Sequence, residues 1–264
     1  AVGFPIGYFY GYQTDGLFSE EDDADNDGFA ENQTYWIRPT NDTVYSQRFA
    51  APGDVRFVDV NGDSLLNGED QTLIGSPHPD FIFGFSFTAE FMGFDFTMFW
   101  QGVCGNDIYS TLTNDFLGGN FSTNFHVDIL DTYRSPSEDG ADPGNTKGTF
   151  PRLDEGQQNQ NFRISDLYIQ DGSYLRLKNI QLGYTIPGAV SSRAGIERLR
   201  IYVAAQNLLT FTKYRYGYDP EIGRTYNDYG LQQEKYNQNT LEMGIDYGTY
   251  PQARTYMVGI NVSF

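Results

Sequence analysis

Hydrophobic residues alternate with polar or small residues along most of the apolar stretches of this chain. In 81–91 every odd position is apolar, and the even positions include Gly84, Ser86, Thr88 and Glu90. Successive side chains of a β-strand point to opposite faces, so this period of two predicts a strand with one apolar face. The same pattern recurs at 94–101, 173–185, 199–205 and 255–264, and "IGYFYGYQTDG" (6–16) makes a sixth candidate strand.

Two details refine these strands. A tight "MG" turn at Met92 and Gly93 joins the first pair into a hairpin. Within "SYLRLKNIQLGYT" the phase of the alternation changes between Leu177 and Ile180. An extra residue in one strand produces such a change, so the sequence predicts a β-bulge there.

The connections between the candidate strands alternate between long and short. The long ones cover roughly 18–79, 105–172 and 212–253, and the short ones 91–93 and 186–197. Strands with one apolar, aromatic-rich face fit either a β-sandwich or the wall of a membrane barrel. Short turns at one end and long loops at the other favour the barrel, because loops of this length are rare in compact soluble domains.

Composition narrows the function classes. The net charge of −18 argues against nucleic-acid binding, and most of the 35 acidic residues lie in the three long connections, away from the strands. Cys104 is the single cysteine, so no internal disulfide forms. The first twelve residues lack the basic and apolar regions of a signal peptide, and the chain begins inside an apparent strand. We therefore expect a piece of a longer protein.

One stretch predicts a metal site. "DVNGDSLLNGED" (59–70) has the ligand spacing of an EF-hand-type loop, which surrounds Ca²⁺ with oxygen atoms at alternate positions. The candidate ligands, from side chains or from the Leu65 carbonyl, are Asp59, Asn61, Asp63, Leu65, Asn67 and Asp70. Ser64 replaces the usual glycine, and Asp70 replaces the usual bidentate glutamate. The apolar stretches on either side have strand spacing, so we expect a structural calcium loop between strands, with a solvated turn as the alternative.

The other candidate binding sites each allow two interpretations. The acidic run 20–28 is a second cation site or, as we prefer, a solvated loop. The aromatic clusters at 213–220 and 247–251 either stack on sugar rings or pack within loops and at the membrane interface. The paired carboxylates lie in no motif that fixes their separation, and no nucleophile–His signature stands out, so we expect no enzyme activity.

Taken together, several stretches resemble one family. They are "PIGYFYGYQTDGLF" (5–18), "PGDVRFVDVNGDSLLNGEDQTLIGSPHPDFIFGF" (52–85), "DGSYLRLKNIQLGYTIP" (171–187), "LRIYVAAQNLLTFTKYRYGYDPEI" (199–222) and "YPQARTYMVGINVSF" (250–264). In this order they are similar to the C-terminal part of SusC/RagA-like TonB-dependent outer-membrane transporters of Bacteroidetes. The whole of 1–264 is then one all-β segment: about six C-terminal strands of a 22-stranded antiparallel barrel, integral to the outer membrane, with long extracellular loops.

The resemblance implies further expectations. A plug domain and a TonB-contacting segment lie upstream, and the remaining barrel strands and outer-membrane lipid surround these strands. A SusD/RagB-like lipoprotein forms a lid, which loops 105–172 and 212–253 contact unless they pack on each other. The cargo is oligosaccharide or peptide, and Phe264 belongs to the signal for barrel assembly. The alternative from the residues alone is a secreted, calcium-stabilised β-rich module for adhesion or glycan binding.

Overall fold

The computed structural model describes residues 3–22, 50–63, 66–117, 124–137, 141–153, 160–222 and 243–264. The chain divides into two compact units, of which the first comprises Ala1–Pro77, Ile108–Gln170 and Arg224–Gly248. The second comprises His78–Asp107, Asp171–Gly223 and Thr249–Phe264. In these described ranges, no helix has the length and apolar character needed to cross a bilayer.

Twelve strands and two short α-helices are described. In chain order the strands are β1 (Phe9–Gly11), β2 (Thr14–Leu17), β3 (Val55–Phe57), β4 (Thr72–Gly75), β5 (Phe81–Phe91), β6 (Phe94–Cys104), β7 (Asp107–Ser110), β8 (Ile169–Asp171), β9 (Tyr174–Thr185), β10 (Arg198–Thr212), β11 (Ile245–Asp246) and β12 (Thr255–Ser263). The helices are α1 (Thr111–Leu117) and α2 (Gly188–Ser191), and five 3₁₀ turns complete the elements.

The second unit is built on one antiparallel five-stranded sheet in the order β12-β10-β9-β6-β5. Each strand therefore pairs with the next long strand along the chain, as short turns at one end of the sheet require. Four of the strands extend 11 to 15 residues. That length matches the strands that cross a bilayer at a tilt.

The predicted turn and bulge are both present. Met92 and Gly93 have φ values of 48° and 86°, the left-handed pair that a two-residue hairpin turn between β5 and β6 requires. Phe99 pairs with Asn179, whereas Trp100 pairs with Leu177, so Lys178 is the extra residue of β9. This confirms the bulge that the phase change predicted.

The first unit contains short strands and turns around small cores. Its main cluster contains Tyr12, Val55, Phe57 and Leu66, all almost fully buried. Next to it the buried Asp54 carboxylate accepts hydrogen bonds from the Arg152 guanidinium, the Asn161 amide and the Ala51 N–H. The long connections of the sequence therefore contain regular elements, among them β3, β4, β7 and α1.

The prediction of a sixth long strand at 6–16 was wrong. This stretch is divided into β1 and β2, which pair with β4 and β3 rather than with the five-stranded sheet. The division falls at Tyr12 and Gln13, and within β2 the φ of 77° at Gly16 coincides with a shift of register against β3 between Thr14 and Leu17. Alternation between Tyr, Phe and Gly therefore reflected short, partly buried strands with nonlocal partners.

Candidate functional site

One face of the five-stranded sheet is apolar from edge to edge. The register aligns a row of four side chains across four strands: Phe96, Leu182, Val203 and Val258. The last three are 44%, 50% and 78% exposed. Neighbouring rows bring in Met98, Ile180 and Ile260 on the same face. Such a broad exposed apolar surface indicates contact with a membrane or a partner, because leaving so much apolar area in water would cost free energy.

The opposite face is polar and carries an ion pair that spans three strands. Asp95 on β6 accepts a hydrogen bond from the Arg200 Nε at 2.8 Å, and a second one from Nη2. Arg200 belongs to β10, so its side chain crosses β9 to reach this carboxylate. Its guanidinium also stacks 5.0 Å from the centre of the Tyr202 ring.

Glycines make room for this arrangement. Gly183 lies between Asp95 and Tyr202 in the same cross-strand row, and Gly259 follows Tyr202 on β12. A Cβ at Gly183 would collide with the Arg200 guanidinium and the Asp95 carboxylate, and one at Gly259 would collide with the Tyr202 ring. The side chains can thus lie flat on the sheet only because these two positions lack a Cβ.

Asp95 and Arg200 also line an open cavity of about 750 Å³ near the hairpin turn. Its lining includes Glu90, Asp95, Arg198 and Arg200, with Thr88 and Thr97 beside them. Positively charged, negatively charged and hydroxyl groups therefore line this end of the polar face. A hydrophilic surface of this kind suits water or a polar protein segment rather than lipid.

A second cluster of charges lies at the other end of the polar face. Arg176 on β9 donates from Nη2 to Asp219 at 2.5 Å and from Nη1 to Glu221 at 2.6 Å. Lys178 donates to the same Glu221 carboxylate at 2.6 Å. Burial opposes ionisation of Asp219, but hydrogen bonds from Arg176 and from backbone N–H groups outweigh it and lower the Asp219 pKa.

The described part of the predicted calcium loop is held by its own hydrogen bonds. Asp59 accepts from the Gly62 N–H at 2.7 Å, and Asn61 accepts from the Asp63 N–H at 2.9 Å. Asn67 caps the 3₁₀ turn that follows by accepting from the Glu69 N–H. The candidate that would bind through its carbonyl, Leu65, lies outside the described residues.

Asp70 is the buried member of this loop. Its two oxygens accept from the N–H groups of Val60 and Asn67 at 3.1 and 2.7 Å. Burial is the main cause of its raised pKa, and the Asp59 charge adds to it. Across the described residues, no three His, Cys, Asp or Glu side chains gather in a metal-binding group. The calcium site therefore stays a prediction.

The other candidate positions have varied surroundings. In the cluster at 213–220, Tyr214 is buried and Tyr218 is 62% exposed, while Tyr250 in 247–251 is 87% exposed. Most of the acidic run 20–28 lies outside the described residues. The sequence alone did not predict the Arg176 cluster, because Arg176 and Asp219 are 43 residues apart in the chain. It did not predict the role of Gly183 either, because that role depends on the absence of a side chain.

Comparisons with known proteins show which proteins the chain is similar to. No protein-family model matches it. It is 32% identical over 262 residues to "TonB-dependent receptor P3" of Formosa agariphila, covering 99% of this chain and 22% of that protein. It is 26% identical over 243 residues to "TonB-dependent receptor SusC" of Bacteroides thetaiotaomicron, covering 90% of this chain and 20% of that protein. Over nearly its whole length the chain is therefore similar to one segment of SusC-like TonB-dependent receptors.

Solved structures show the same fold. The "RagAB peptide importer in the 'open-open' state" aligns with a TM-score of 0.63 and 22% identity, covering 99% of this chain and 23% of that one. The 'closed-closed' state aligns with a TM-score of 0.61. This chain spans only 20% to 25% of the length of the curated relatives. These relatives are receptors of the outer membrane rather than enzymes, which confirms the prediction that this SusC/RagA-like chain is not an enzyme.

Proposed function

We propose that this chain forms the C-terminal barrel strands and extracellular loops of a TonB-dependent outer-membrane importer. The observation that carries the proposal is the five-stranded antiparallel sheet with one exposed apolar face and one polar face. In a barrel wall the apolar face contacts lipid and the polar face lines the interior. The relatives named above support the same assignment.

The sheet requires further strands. In the part of the chain that the structure describes, β5 and β12 each pair on one side only. A free strand edge in a bilayer leaves N–H and C=O groups without partners, so these edges close against other strands of the longer protein. The family's barrel of 22 strands, with a plug and a TonB-contacting segment upstream, supplies this frame.

The cargo in this proposal is an oligomeric nutrient, either an oligosaccharide or a peptide, imported together with a SusD/RagB-like surface lipoprotein. The structural similarity to the RagAB peptide importer supports the peptide class. The long connections 105–172 and 212–253 are the segments of this chain that we assign to the outside of the cell and to contact with the lid.

Heat-modifiable migration tests the barrel. A folded barrel in detergent migrates differently on a gel before and after boiling, and we expect the complete protein that contains this chain to do so. Co-purification of a lipoprotein encoded beside it tests the lid. Recovery of the complete protein as a soluble monomer without detergent would contradict the proposal and favour a secreted adhesion or glycan-binding module.

We also propose that residues 59–70 bind Ca²⁺ as a structural ion in a loop outside the membrane. The donor set fits a hard cation, because Asp59, Asp63 and Asp70 supply carboxylates and Asn61 and Asn67 supply amide oxygens. The Val60 and Asn67 N–H groups hold the Asp70 carboxylate inside the loop, where it can serve as a ligand. Bound Ca²⁺ would replace the hydrogen bonds that these side chains make within the loop.

A further inference from the structure

The described residues that begin the connection between β10 and β12, up to 222, lie against the polar face of the sheet. The connection leaves β10 after Thr212, and its residues Asp219 and Pro220 are buried. Arg176 on β9 donates from Nε to Thr210 on β10 at 3.0 Å, so its guanidinium lies along the polar face. The contacts of Arg176 with Asp219 and Glu221 therefore place the outgoing stem of the connection on that face.

Asp219 also contacts the returning stem. Its Oδ1 accepts from Arg176 and from the Glu221 N–H at 2.9 Å, while its Oδ2 accepts from the Gln252 N–H at 2.9 Å. Gln252 lies three residues before β12 begins. One carboxylate thus joins both ends of the connection to each other and to strand β9.

The charges of this group balance within a mostly buried setting. The Arg176 side chain is 3% exposed and Asp219 is 5% exposed, with Lys178 and Glu221 at 21% and 28%. Buried ion pairs add little to stability relative to apolar packing, because both charges lose their hydration. Removing one partner is nevertheless costly, since the other charge stays buried alone. Such a group fixes the position of the segment that it holds.

We propose that Arg176, Lys178, Asp219, Glu221 and Gln252 form a clasp that holds the base of the β10–β12 connection across the polar face and narrows the passage along it. The inference rests on the proposed function in one respect, namely that the polar face lines the interior of a barrel. The clasp residues and their contacts belong to the described structure whether or not the barrel closes as proposed.

The test uses the complete transporter in outer membranes, with Asp219→Asn and Arg176→Gln as the variants. Glu221→Gln is a milder variant, because its carboxylate is partly exposed. Lys213→Gln is the matched control: it lies on the same stem, is 86% exposed, and pairs with Asp171 at 3.7 Å. Heat-modifiable migration establishes that each variant is folded. Chymotrypsin cleavage between 213 and 254 reports opening of the clasp, and sensitivity of the cells to vancomycin, a large hydrophilic antibiotic, reports the width of the passage.

We expect Asp219→Asn and Arg176→Gln to be cleaved about tenfold faster or more, with a smaller increase for Glu221→Gln. Cells with these variants become more sensitive to vancomycin, whereas Lys213→Gln matches the unsubstituted protein. Unchanged cleavage in folded variants would overturn the clasp, and faster cleavage without greater sensitivity would overturn the narrowing. Absence of heat-modifiable migration in the unsubstituted protein would count against the barrel, while the cleavage rates would still decide the clasp.

Discussion

Adjacent residues of β9 offer a sharp test of which face contacts lipid. Leu182 lies on the apolar face between Phe96 and Val203, whereas Gln181 lies on the polar face between Thr97 and Ala204. The two side chains share one strand, one depth and nearly the same backbone surroundings. The variants Leu182→Arg and Gln181→Arg therefore differ mainly in the face of the sheet that carries the new charge.

The expected cost follows from this placement. Arginine facing lipid costs about 2–4 kcal/mol at the middle of a bilayer and about 0–1 kcal/mol near its interfaces. Leu182 lies three residues from the Thr185 end of β9, between these depths, so we expect a cost of about 1–3 kcal/mol. Because about 1.4 kcal/mol is a tenfold change in an equilibrium constant, Leu182→Arg lowers the folding equilibrium constant by about 5- to 140-fold. Gln181→Arg faces the polar interior and costs less than about 1 kcal/mol, as do most substitutions at solvated positions.

The assay is urea unfolding of the complete transporter in lipid vesicles, followed by the loss of heat-modifiable migration. We expect a large decrease in the urea midpoint for Leu182→Arg and a small change for Gln181→Arg. Leu182 is 44% exposed, so a water-facing sheet would tolerate arginine there at least as well as at Gln181. Equal midpoints for the two variants would refute the assignment of the apolar face to lipid.

Three further outcomes are expected. Gly183→Ala brings a Cβ into the Asp95–Arg200 pair and lowers the urea midpoint, whereas Gly188→Ala, which meets no atom within 4 Å, leaves it unchanged; equal midpoints would contradict the clearance argument. Asp59→Ala together with Asp63→Ala removes the protection from protease that Ca²⁺ gives the 50–75 region, and a loop equally resistant with and without EGTA would exclude the ion. Because the folded state lowers the pKa of Asp219, its carboxylate stabilises the fold fully above the unfolded pKa of about 3.9, and this stabilisation is lost as pH falls through the lower folded pKa. We therefore expect pepsin cleavage of 213–254 to rise as pH falls, and to rise more steeply in the unsubstituted protein than in Asp219→Asn.

Local periodicity predicted the parts of the fold that depend on neighbouring residues in the chain. The hairpin at Met92 and Gly93 and the bulge at Lys178 were both visible, because a left-handed turn and a phase change leave local signals. Strand ends were less visible. β10 continues to Thr212, well past the end of its clean alternation at Ala205, since Asn207 with a φ of 52° shifts the register there.

The parts that the sequence did not reveal depend on distant partners. The stretch 6–16 alternates as a long strand would, yet β1 and β2 pair with residues 55 to 75. No residue near Asp219 in the sequence indicates that Arg176 pairs with it. The chain has so many acidic residues that their pattern does not single out Asp219. Gly183 gives no signal in a pattern of apolar and polar residues, because its role is to leave space for a pair of side chains on other strands.

Quenching by brominated lipid tests the central claim most directly. In the complete transporter, with Cys104→Ser and any other cysteine removed, single cysteines at Leu182, Val203, Gln181 and Gln206 carry a fluorescent label in turn. We predict strong quenching by brominated acyl chains at Leu182 and Val203, and quenching only by water-soluble iodide at Gln181 and Gln206. Iodide quenching of all four labels, with no effect of brominated lipid, would contradict a membrane-spanning sheet.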